Sequence, residues 1–202
     1  MSGSRRNAKF PLKGRVVFFA TGNVHKFDEA RNLLAKLGIS VSMLKVKGSE
    51  LQSESLVEIA QASAREAFNR CRLPVIVEDA GLFIEALNGF PGPYAAYVHK
   101  TIGNKGVLEL LGGVVARKAV FRSAIAYCDS DTEAPVVFEG EAQGEITVNE
   151  RRGSDKSGFG FDPIFRPSGN MKTFAQMTLE EKNGFSHRAN AFSKFAEWYK
   201  KH

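Results

Sequence analysis

Val75-Ile76-Val77-Glu78-Asp79-Ala80-Gly81-Leu82 is the stretch around which the rest of the sequence is interpreted. Its first three residues form an apolar run typical of a buried strand, and the run leads directly into two adjacent carboxylates. Buried carboxylates need a cation or hydrogen-bond donors, because removing a bare charge from water is costly. The stretch therefore predicts a strand that ends on a metal site or a catalytic base. Two solvated acids at a strand end explain the same pattern, and this stretch alone leaves both interpretations open.

The composition is that of one globular domain able to bury a core. Of 202 residues, 43% are hydrophobic and 25% charged, and no apolar stretch approaches the roughly 20 residues that a membrane span needs. We expect residues 1–14 to form a basic flexible tail without the apolar segment of a secretory signal, and residues 15–202 to form a single domain of two lobes. The net charge of +6 favours anionic partners. Cys71 and Cys128 lack metal or disulfide-framework spacing, which fits a cytoplasmic protein with reduced thiols.

A polar loop after the first predicted strand indicates an anion site. The strand-like residues 16–19 are followed by Ala20-Thr21-Gly22-Asn23-Val24-His25-Lys26, and apolar residues then recur at helical spacing up to Gly38. Backbone N–H groups at a helix start bind anions, and Lys26 adds a full positive charge. Because a cation there opposes the helix dipole, a bound phosphate explains it better than helix stability does. The spacing is not that of a P-loop, and an ordinary strand–helix turn stays an alternative.

Capping patterns and strand spacing predict the remaining elements. Ser55 with Glu58, and Thr178 with Glu181, form capping-box patterns, and Ser186 is a predicted N-cap for the last helix. The other predicted elements are strands at 39–46, 119–127, 136–141 and 144–148 and a short helix at 104–111. Short separations between the later strands predict antiparallel hairpins. Strand–helix units followed by a meander imply an α/β fold with a mixed sheet.

The C-terminal part offers rings and cations that suit a planar base. Phe159-Gly160-Phe161-Asp162 alternates aromatic rings with glycine and an acid, a pattern that can stack a base. Phe159, Phe161 and Phe165 also suit a strand core, and we expect at least one of them to lie there. The basic residues that follow are Lys182, His187 and Arg188. Phosphates, a divalent ion and a purine ring would together use the anion loop, the acids, the rings and these cations.

Ordered motifs across nearly the whole chain resemble the inosine triphosphate pyrophosphatase family. Each motif is weak alone, but their order and spacing agree from about Val16 to Tyr199. The matching segments are Thr-Gly-Asn-x-x-Lys at 21–26, Val-Glu-Asp-x-Gly-Leu at 77–82, Asn-Gly-Phe-Pro-Gly-Pro-Tyr at 88–94, Gly-Phe-Gly-Phe-Asp-Pro-Ile-Phe at 158–165, and Thr-Phe-Ala-x-Met followed by Glu-Glu-Lys-Asn and Ser-His-Arg at 173–188. The sequence is most similar to the short archaeal-type members.

The resemblance implies an elongated two-lobed α/β fold around a mixed sheet, with a central cleft and flanking helices. It implies a Mg2+-dependent enzyme that converts ITP, dITP or XTP and water to the monophosphate and pyrophosphate, and so cleanses the nucleotide pool. A cytoplasmic homodimer is also implied. We expect neither a membrane association nor a stable complex with nucleic acid.

The resemblance also implies roles for single residues. Asp79 would be the general base and a metal ligand, and Glu50 would bind the metal. Glu78 would support the metal site without binding the metal directly. Phe159 would stack on the base, and Lys182, His187 and Arg188 would contact the base and its 6-oxo group. Substrate contacts are implied for Thr21, Gly22, Asn23, Val24, His25, Lys26, Ala80, Phe159, Gly160, Phe161, Asp162, Lys182, His187 and Arg188.

Two departures from the family pattern and two alternatives stay open. Many members have Ser or Thr where this chain has Ala80, so a hydroxyl contact to substrate is lost. Some members carry a phosphate-binding Lys where this chain has Ala62-Ser63, with Arg65 nearest. A nucleotide- or RNA-binding module without chemistry would explain the charge and the rings, but not acids placed against an anion loop. A hydrolase of modified pyrimidine triphosphates with a related fold is the second alternative.

Overall fold

The computed structural model describes residues 16–46, 51–153 and 158–202. In these ranges seven strands form one mixed sheet in the order β2-β1-β3-β5-β6-β7, with β4 paired to β3. The strands are β1 (Val16–Ala20), β2 (Ser40–Leu44), β3 (Val75–Ile84), β4 (Pro91–Gly92), β5 (Lys118–Cys128), β6 (Val136–Ile146) and β7 (Phe165–Pro167). The helices are α1 (Val24–Lys36), α2 (Leu56–Cys71), α3 (Ala95–Thr101), α4 (Gly103–Leu110), α5 (Leu179–Asn183) and α6 (His187–Tyr199), with short 3-10 helices at Glu85–Leu87 and Phe174–Gln176. The predicted α/β fold with a mixed sheet is confirmed.

The acidic pair lies in the middle of β3, so the predicted strand end is wrong. The parallel pairing of β1 with β3 stops at Phe19 opposite Ile76, whereas β3 pairs antiparallel with β5 as far as Ile84. Glu78 and Asp79 therefore lie just beyond the point where the pairing of β3 with the shorter strand β1 ends. This is also where the loop after β1 turns into α1, so the acids and the anion loop are adjacent.

Successive residues of β3 face opposite sides of the sheet, because side chains alternate along a strand. Ile76 packs in a cluster with residues of α1 and α6, and Val75 packs in a second cluster with α2. Glu78 therefore lies on the α1 and α6 side, and Asp79 on the α2 side. The far half of β3 contributes Leu82 and Ile84 to a third cluster, which gathers α4, β7 and the segment 161–177.

One strand, β6, replaces the two strands that were predicted at 136–141 and 144–148. Gly140 lies inside this strand, and close packing explains why a glycine stands there. A Cβ on Gly140 would lie 2.3 Å from the carbonyl oxygen of His187 and 2.4 Å from the backbone nitrogen of Ala191. Gly140 therefore lets the start of α6 rest directly on the sheet.

The predicted helix caps are confirmed with one correction. Ser55 accepts a hydrogen bond from the Glu58 N–H, but the Glu58 carboxylate accepts one from the Ser53 hydroxyl instead of closing the predicted box. The capping box at α5 and the Ser186 cap at α6 are present. Helix α3 was not predicted. Among the described residues no helix has the length and apolar character needed to cross a membrane. The predicted tail falls in residues 1–15, outside the described ranges.

Candidate active site

A cavity of about 250 Å3 lies where the loop after β1, the middle of β3, the segment 159–162 and the start of α6 meet. Its lining residues are Asn23, Lys26, Asp79, Ala80, Pro93, Ala95, Ala96, His99, Phe121, Phe159, Gly160, Phe161, Asp162, His187 and Arg188. A cavity of about 530 Å3 adjoins it, and the two share Asp79, Pro93 and Ala96. A larger groove of about 860 Å3 lies on the outer sheet face at β3, β5 and β6, and none of the sequence-predicted site residues lines it.

The predicted anion loop, residues 21–26, is held in place by hydrogen bonds to its own side chains. The Thr21 hydroxyl accepts a hydrogen bond from the Asn23 N–H at 3.1 Å, and Asn23 Oδ1 accepts one from the Lys26 N–H at 3.1 Å. Asn23 is thus the N-cap of α1, a position that favours Asn. This cap fixes the first turn of α1, so that the side chains of Asn23 and Lys26 both line the cavity.

Glu78 is enclosed by donors and cations. Its Oε1 accepts hydrogen bonds from the Ser123 hydroxyl at 2.8 Å and from Arg188 Nε at 3.1 Å. Its Oε2 lies 2.7 Å from Lys26 Nζ in an ionic contact without well-directed hydrogen-bond geometry. Burial opposes ionisation, but Arg188 and Lys26 outweigh it and hold the pKa of Glu78 at about 2. Glu78 is therefore an anion at all ordinary pH values and compensates two cations of the site.

Asp79 has the opposite electrostatic environment. Burial raises the pKa of its carboxyl to about 6 against the attraction of Lys26, and the charge of Glu78 adds to the rise. The Asp79 carboxylate has no ion-pair partner within 4 Å in the described part of the chain. A half-buried carboxylate with a pKa near neutrality can accept a proton and can also bind a cation.

A network of ion pairs, in which anions and cations alternate, borders the cavity. Glu29 of α1 pairs with Arg188 and, at 2.7 Å, with Lys182, which in turn contacts Asp162 at 2.7 Å. With Glu78 and Lys26, this network contains three anions and three cations, so the formal charge of the network is zero. Burial opposes these charges, but Arg188 and Lys182 lower the pKa of Glu29 to about 2. Asp162 and Glu29 raise the pKa of Lys182 against the effect of its burial.

Glu29 was not predicted as a site residue. A signal for it was nevertheless present, since Glu29 lies three residues after Lys26 and four before Leu33, on the inward face of α1. A charged residue on such a face requires a partner. The partners Lys182 and Arg188 lie more than 150 residues away in the sequence, so pattern alone could not identify them. Their pairing also explains why Arg188 stands at a helix start, against the helix dipole.

The aromatic segment divides between cavity and core. Phe159 is partly exposed, and its N–H donates a hydrogen bond to Asp162 Oδ2 at 3.0 Å. Phe161 lines the same cavity but is buried in the third hydrophobic cluster, together with Phe165. At least one ring was expected in the core, and two lie there. Gly160 has a φ of +58°, a conformation that favours glycine.

His187 is a buried polar residue that lines the cavity. Its ring stacks on Phe121 at 4.6 Å between centroids and 11° between planes. Burial, aided by the neighbouring Arg188, lowers the pKa of His187 well below its usual range, so the ring is neutral. Its Nδ1 is buried without a hydrogen-bond partner among the described residues. Such an atom in a cavity wall is suited to a polar ligand atom.

The structure brings most of the sequence-predicted residues together, but not all of them. Gly22 and Val24 are exposed at the loop and do not line the cavity, and His25 and Lys182 line a smaller cavity behind Phe159 instead. The Thr21 hydroxyl accepts a hydrogen bond from the loop backbone at Asn23, and Thr21 does not line the cavity. Ala80 lines the cavity, as predicted from its position next to Asp79. Glu50 falls in residues 47–50, outside the described ranges, so its predicted role stays a prediction.

The described residues fit a hard divalent cation, although they do not complete a site for one. No group of three acidic, histidine or cysteine side chains converges in the described ranges. Mg2+ commonly takes one or two carboxylates and completes its shell with water and substrate phosphates, so Asp79 with the predicted Glu50 is a suitable donor set. Glu78 is less suited, because its oxygens contact Lys26, Ser123 and Arg188. Its predicted support of the metal stays a prediction.

The fold and the site define an α/β protein with a cleft that combines an anion loop, an isolated carboxylate and an aromatic wall. A family model described as the Ham1 family matches residues 17–198. The chain belongs to the Ham1 family.

Relatives and solved structures agree with this assignment. The dITP/XTP pyrophosphatase of Methanopyrus kandleri is 54% identical over 91% of this chain and 96% of that protein. The dITP/XTP pyrophosphatase of Thermococcus kodakarensis is 49% identical over 90% of this chain and 96% of that protein. A Ham1 protein from Coxiella burnetii superposes with a TM-score of 0.80 at 30% identity, covering 93% of this chain and all of that one. The Staphylococcus aureus Ham1 protein gives 0.78 at 28% identity over 93% of this chain and 99% of that one.

Proposed function

We propose that this chain hydrolyses non-standard purine nucleoside triphosphates, namely dITP, ITP and XTP, to the monophosphate and pyrophosphate. The relatives at 54% and 49% identity are named dITP/XTP pyrophosphatases. The observation that carries the proposal is one cavity lined by Lys26, Asp79, Phe159 and His187. These residues supply charge for phosphates, a base for water, and a stacking surface and polar atoms for a purine.

In this proposal Asp79 is the general base. Water attacks the α-phosphorus, the bond from that phosphorus to the bridging oxygen breaks, and pyrophosphate leaves with the bond electrons. Asp79 accepts the proton of the water. With a pKa of about 6, Asp79 is mostly ionised at neutral pH and still basic enough for the transfer.

The charge that develops on the leaving group needs positive partners. Lys26 and Asp79 line the same cavity, and Lys26 pairs with Glu78, the residue before Asp79 on β3. Asp79 and Glu50 would hold the Mg2+ that the family resemblance implies. When bound, this ion supplies charge neutralisation and lowers the pKa of water.

Base selection in this proposal comes from the 6 position of the purine. Hypoxanthine and xanthine present an acceptor there, whereas adenine presents a donor. A neutral His187 can donate from Nδ1, which has no partner among the described residues. The adenine amino group would leave such a site mismatched, and buried polar mismatch gives large rejection ratios. Phe159 would stack on the ring.

A substrate panel tests the proposal. Pyrophosphate release is measured with Mg2+ on dITP, ITP, XTP, GTP, ATP and modified pyrimidine triphosphates. We expect dITP, ITP and XTP to have the highest kcat/KM and ATP a much lower one. A preference for the pyrimidine compounds would overturn the base assignment, and binding of RNA without any hydrolysis would favour the non-catalytic alternative.

A cytoplasmic location and a homodimer are further parts of the proposal, which rest on the family resemblance.

A further inference from the structure

Phe159 lies on a segment that gives its ring little support. The residues on either side, Gly158 and Gly160, have no side chains that could hold the ring. Their φ values of +89° and +58° favour glycine at both positions. The Phe159 N–H is fixed by Asp162, but this hydrogen bond orients the backbone and not the ring. The ring orientation must therefore come from other elements.

His25, in the first turn of α1, supplies such a contact. Its imidazole lies parallel to the Phe159 ring, with 5.1 Å between centroids and 12° between planes. Aromatic pairs in this separation range are attractive beyond their buried area. His25 is exposed, so the stack forms at the surface end of the site.

The two cavities that Phe159 separates show which face His25 covers. Phe159 lines both the cavity of about 250 Å3 and a smaller one of about 150 Å3, whereas His25 lines only the smaller one. His25 therefore covers the face of Phe159 that is turned away from Asp79. Phe159 also lines the larger cavity, on the side of Asp79, where a base would bind. Asn23 and Lys26 line the larger cavity, so neighbours in the same loop have different tasks.

Two cations contact the same ring. Lys182 Nζ and Arg188 Cζ lie 5.0 Å and 5.5 Å from the Phe159 ring centroid, so they help to hold the ring together with His25.

We propose that His25 is a positioning residue, which fixes the Phe159 ring from behind so that its front face can stack on the purine. The inference rests on the proposed function only in treating Phe159 as the base platform. His25 would then affect binding of the base and not binding of the phosphates. This differs from the sequence-based expectation that His25 contacts the substrate.

Kinetics of His25→Ala and His25→Phe test the role. An aromatic pair of this kind corresponds to roughly a 2- to 10-fold effect, so we expect His25→Ala to raise the KM for dITP by about that factor. We expect kcat to stay within about twofold, because His25 touches no reacting atom. Competitive inhibition by inorganic triphosphate, which has no base, should not change. His25→Phe, which keeps the stack, should restore the KM.

A second histidine provides the matched control. His202 stacks on Trp198 with 4.5 Å between centroids and 21° between planes, at the C-terminal end of the chain. We expect His202→Ala to leave the dITP kinetics unchanged. An equal weakening of dITP and inorganic triphosphate in His25→Ala would make His25 a phosphate ligand and overturn the proposal. An unchanged KM, or no rescue by phenylalanine, would overturn it as well.

The stack can also be measured without activity. Ring current from Phe159 should move the carbon-bound imidazole protons of His25 upfield in the proton NMR spectrum, and Phe159→Leu should abolish the shift. His202, which stacks on Trp198, is the internal control, because its proton shifts should not change in Phe159→Leu. If the wild-type chain does not cleave dITP, the proposed function fails, while this spectrum still decides whether His25 holds Phe159. Absence of the upfield shift would overturn the inference.

Discussion

Asp79 and Glu78 are neighbours on β3 but point to opposite faces of the sheet, and their pKa values move in opposite directions. Glu78 faces Arg188 and Lys26, which outweigh its burial and lower its pKa to about 2. Asp79 is raised to about 6 by burial, since the pull of Lys26 is insufficient to offset it. A one-residue difference on a strand thus separates a permanent counter-ion from a group that exchanges protons.

Asp79→Asn is expected to remove most activity. The amide cannot accept the proton of the attacking water, and general-base catalysis contributes about 10²–10⁴-fold. The measurement is pyrophosphate release from dITP with Mg2+. The exposed Asp131→Asn is the control and should keep full activity. Retention of wild-type activity by the Asp79 variant would exclude a general-base role.

Arg188→Ala is expected to destabilise the fold strongly. The change leaves Glu29 and Glu78 buried without their shared partner, and breaking a buried pair costs about 3–5 kcal/mol. Urea unfolding measures the free energy, with the exposed Arg31→Ala as control. Adding Glu29→Gln should restore part of the loss. A change as small as that of the control would show that the buried ion pairs do not contribute to stability.

At the scale of elements, the alternating charges connect α1, β3, α5 and α6. Glu29 contacts residues of the last two helices, and Glu78 connects α1 to α6 through Lys26 and Arg188. These contacts join the anion loop to the segment that carries Phe159. One buried network therefore sets the distance between the proposed phosphate site and the proposed base site.

Acid should weaken this network within a defined pH window. Glu29 and Glu78 have folded pKa values of about 2 against an ordinary value of 4.5. Between these values the unfolded chain binds more protons, so stability is complete above pH 4.5 and falls as the pH approaches 2. Unfolding free energies between pH 2.5 and 6 should show a shallower slope for Glu29→Gln than for the exposed Glu109→Gln. Equal slopes would contradict the depressed pKa of Glu29.

Gly140→Ala tests the contact between α6 and the sheet. The new Cβ would overlap the backbone of α6 at His187 and Ala191, and overpacking of this kind costs about 1–3 kcal/mol or more. We expect a lower Tm and a reduced kcat/KM for dITP, because α6 carries His187 and Arg188. The control is Gln143→Ala, which is exposed on the same strand. An unchanged Tm would mean that α6 does not rest on Gly140.

The element predictions succeeded where local chemistry determines the structure. Ser55, Thr178 and Ser186 cap helices through hydrogen bonds made within three residues, and such bonds can be predicted from sequence. The role of Gly140 could not be predicted in this way, because the contact that requires a glycine there involves α6, about 50 residues further on. The extent of β3 was also missed, since pairing with β5 and not local pattern continues it to Ile84.

At the scale of the whole molecule, the ordered motifs predicted the cleft well and its electrostatics poorly. The segments around residues 21–26, 77–82, 159–162 and 187–188 do meet at one cavity. The sequence did not show that Glu29 would neutralise both Lys182 and Arg188. Nor did it show that His25 would turn towards Phe159. Both features depend on side chains that meet only after the chain has folded.

We propose that water attacks the α-phosphorus of a non-standard purine triphosphate in this cavity. The most direct test is hydrolysis of dITP in 18O-labelled water with Mg2+, with the products followed by 31P NMR and mass spectrometry. We expect dIMP that carries one 18O atom and pyrophosphate without label. Label in the pyrophosphate, or formation of dIDP and inorganic phosphate, would contradict it.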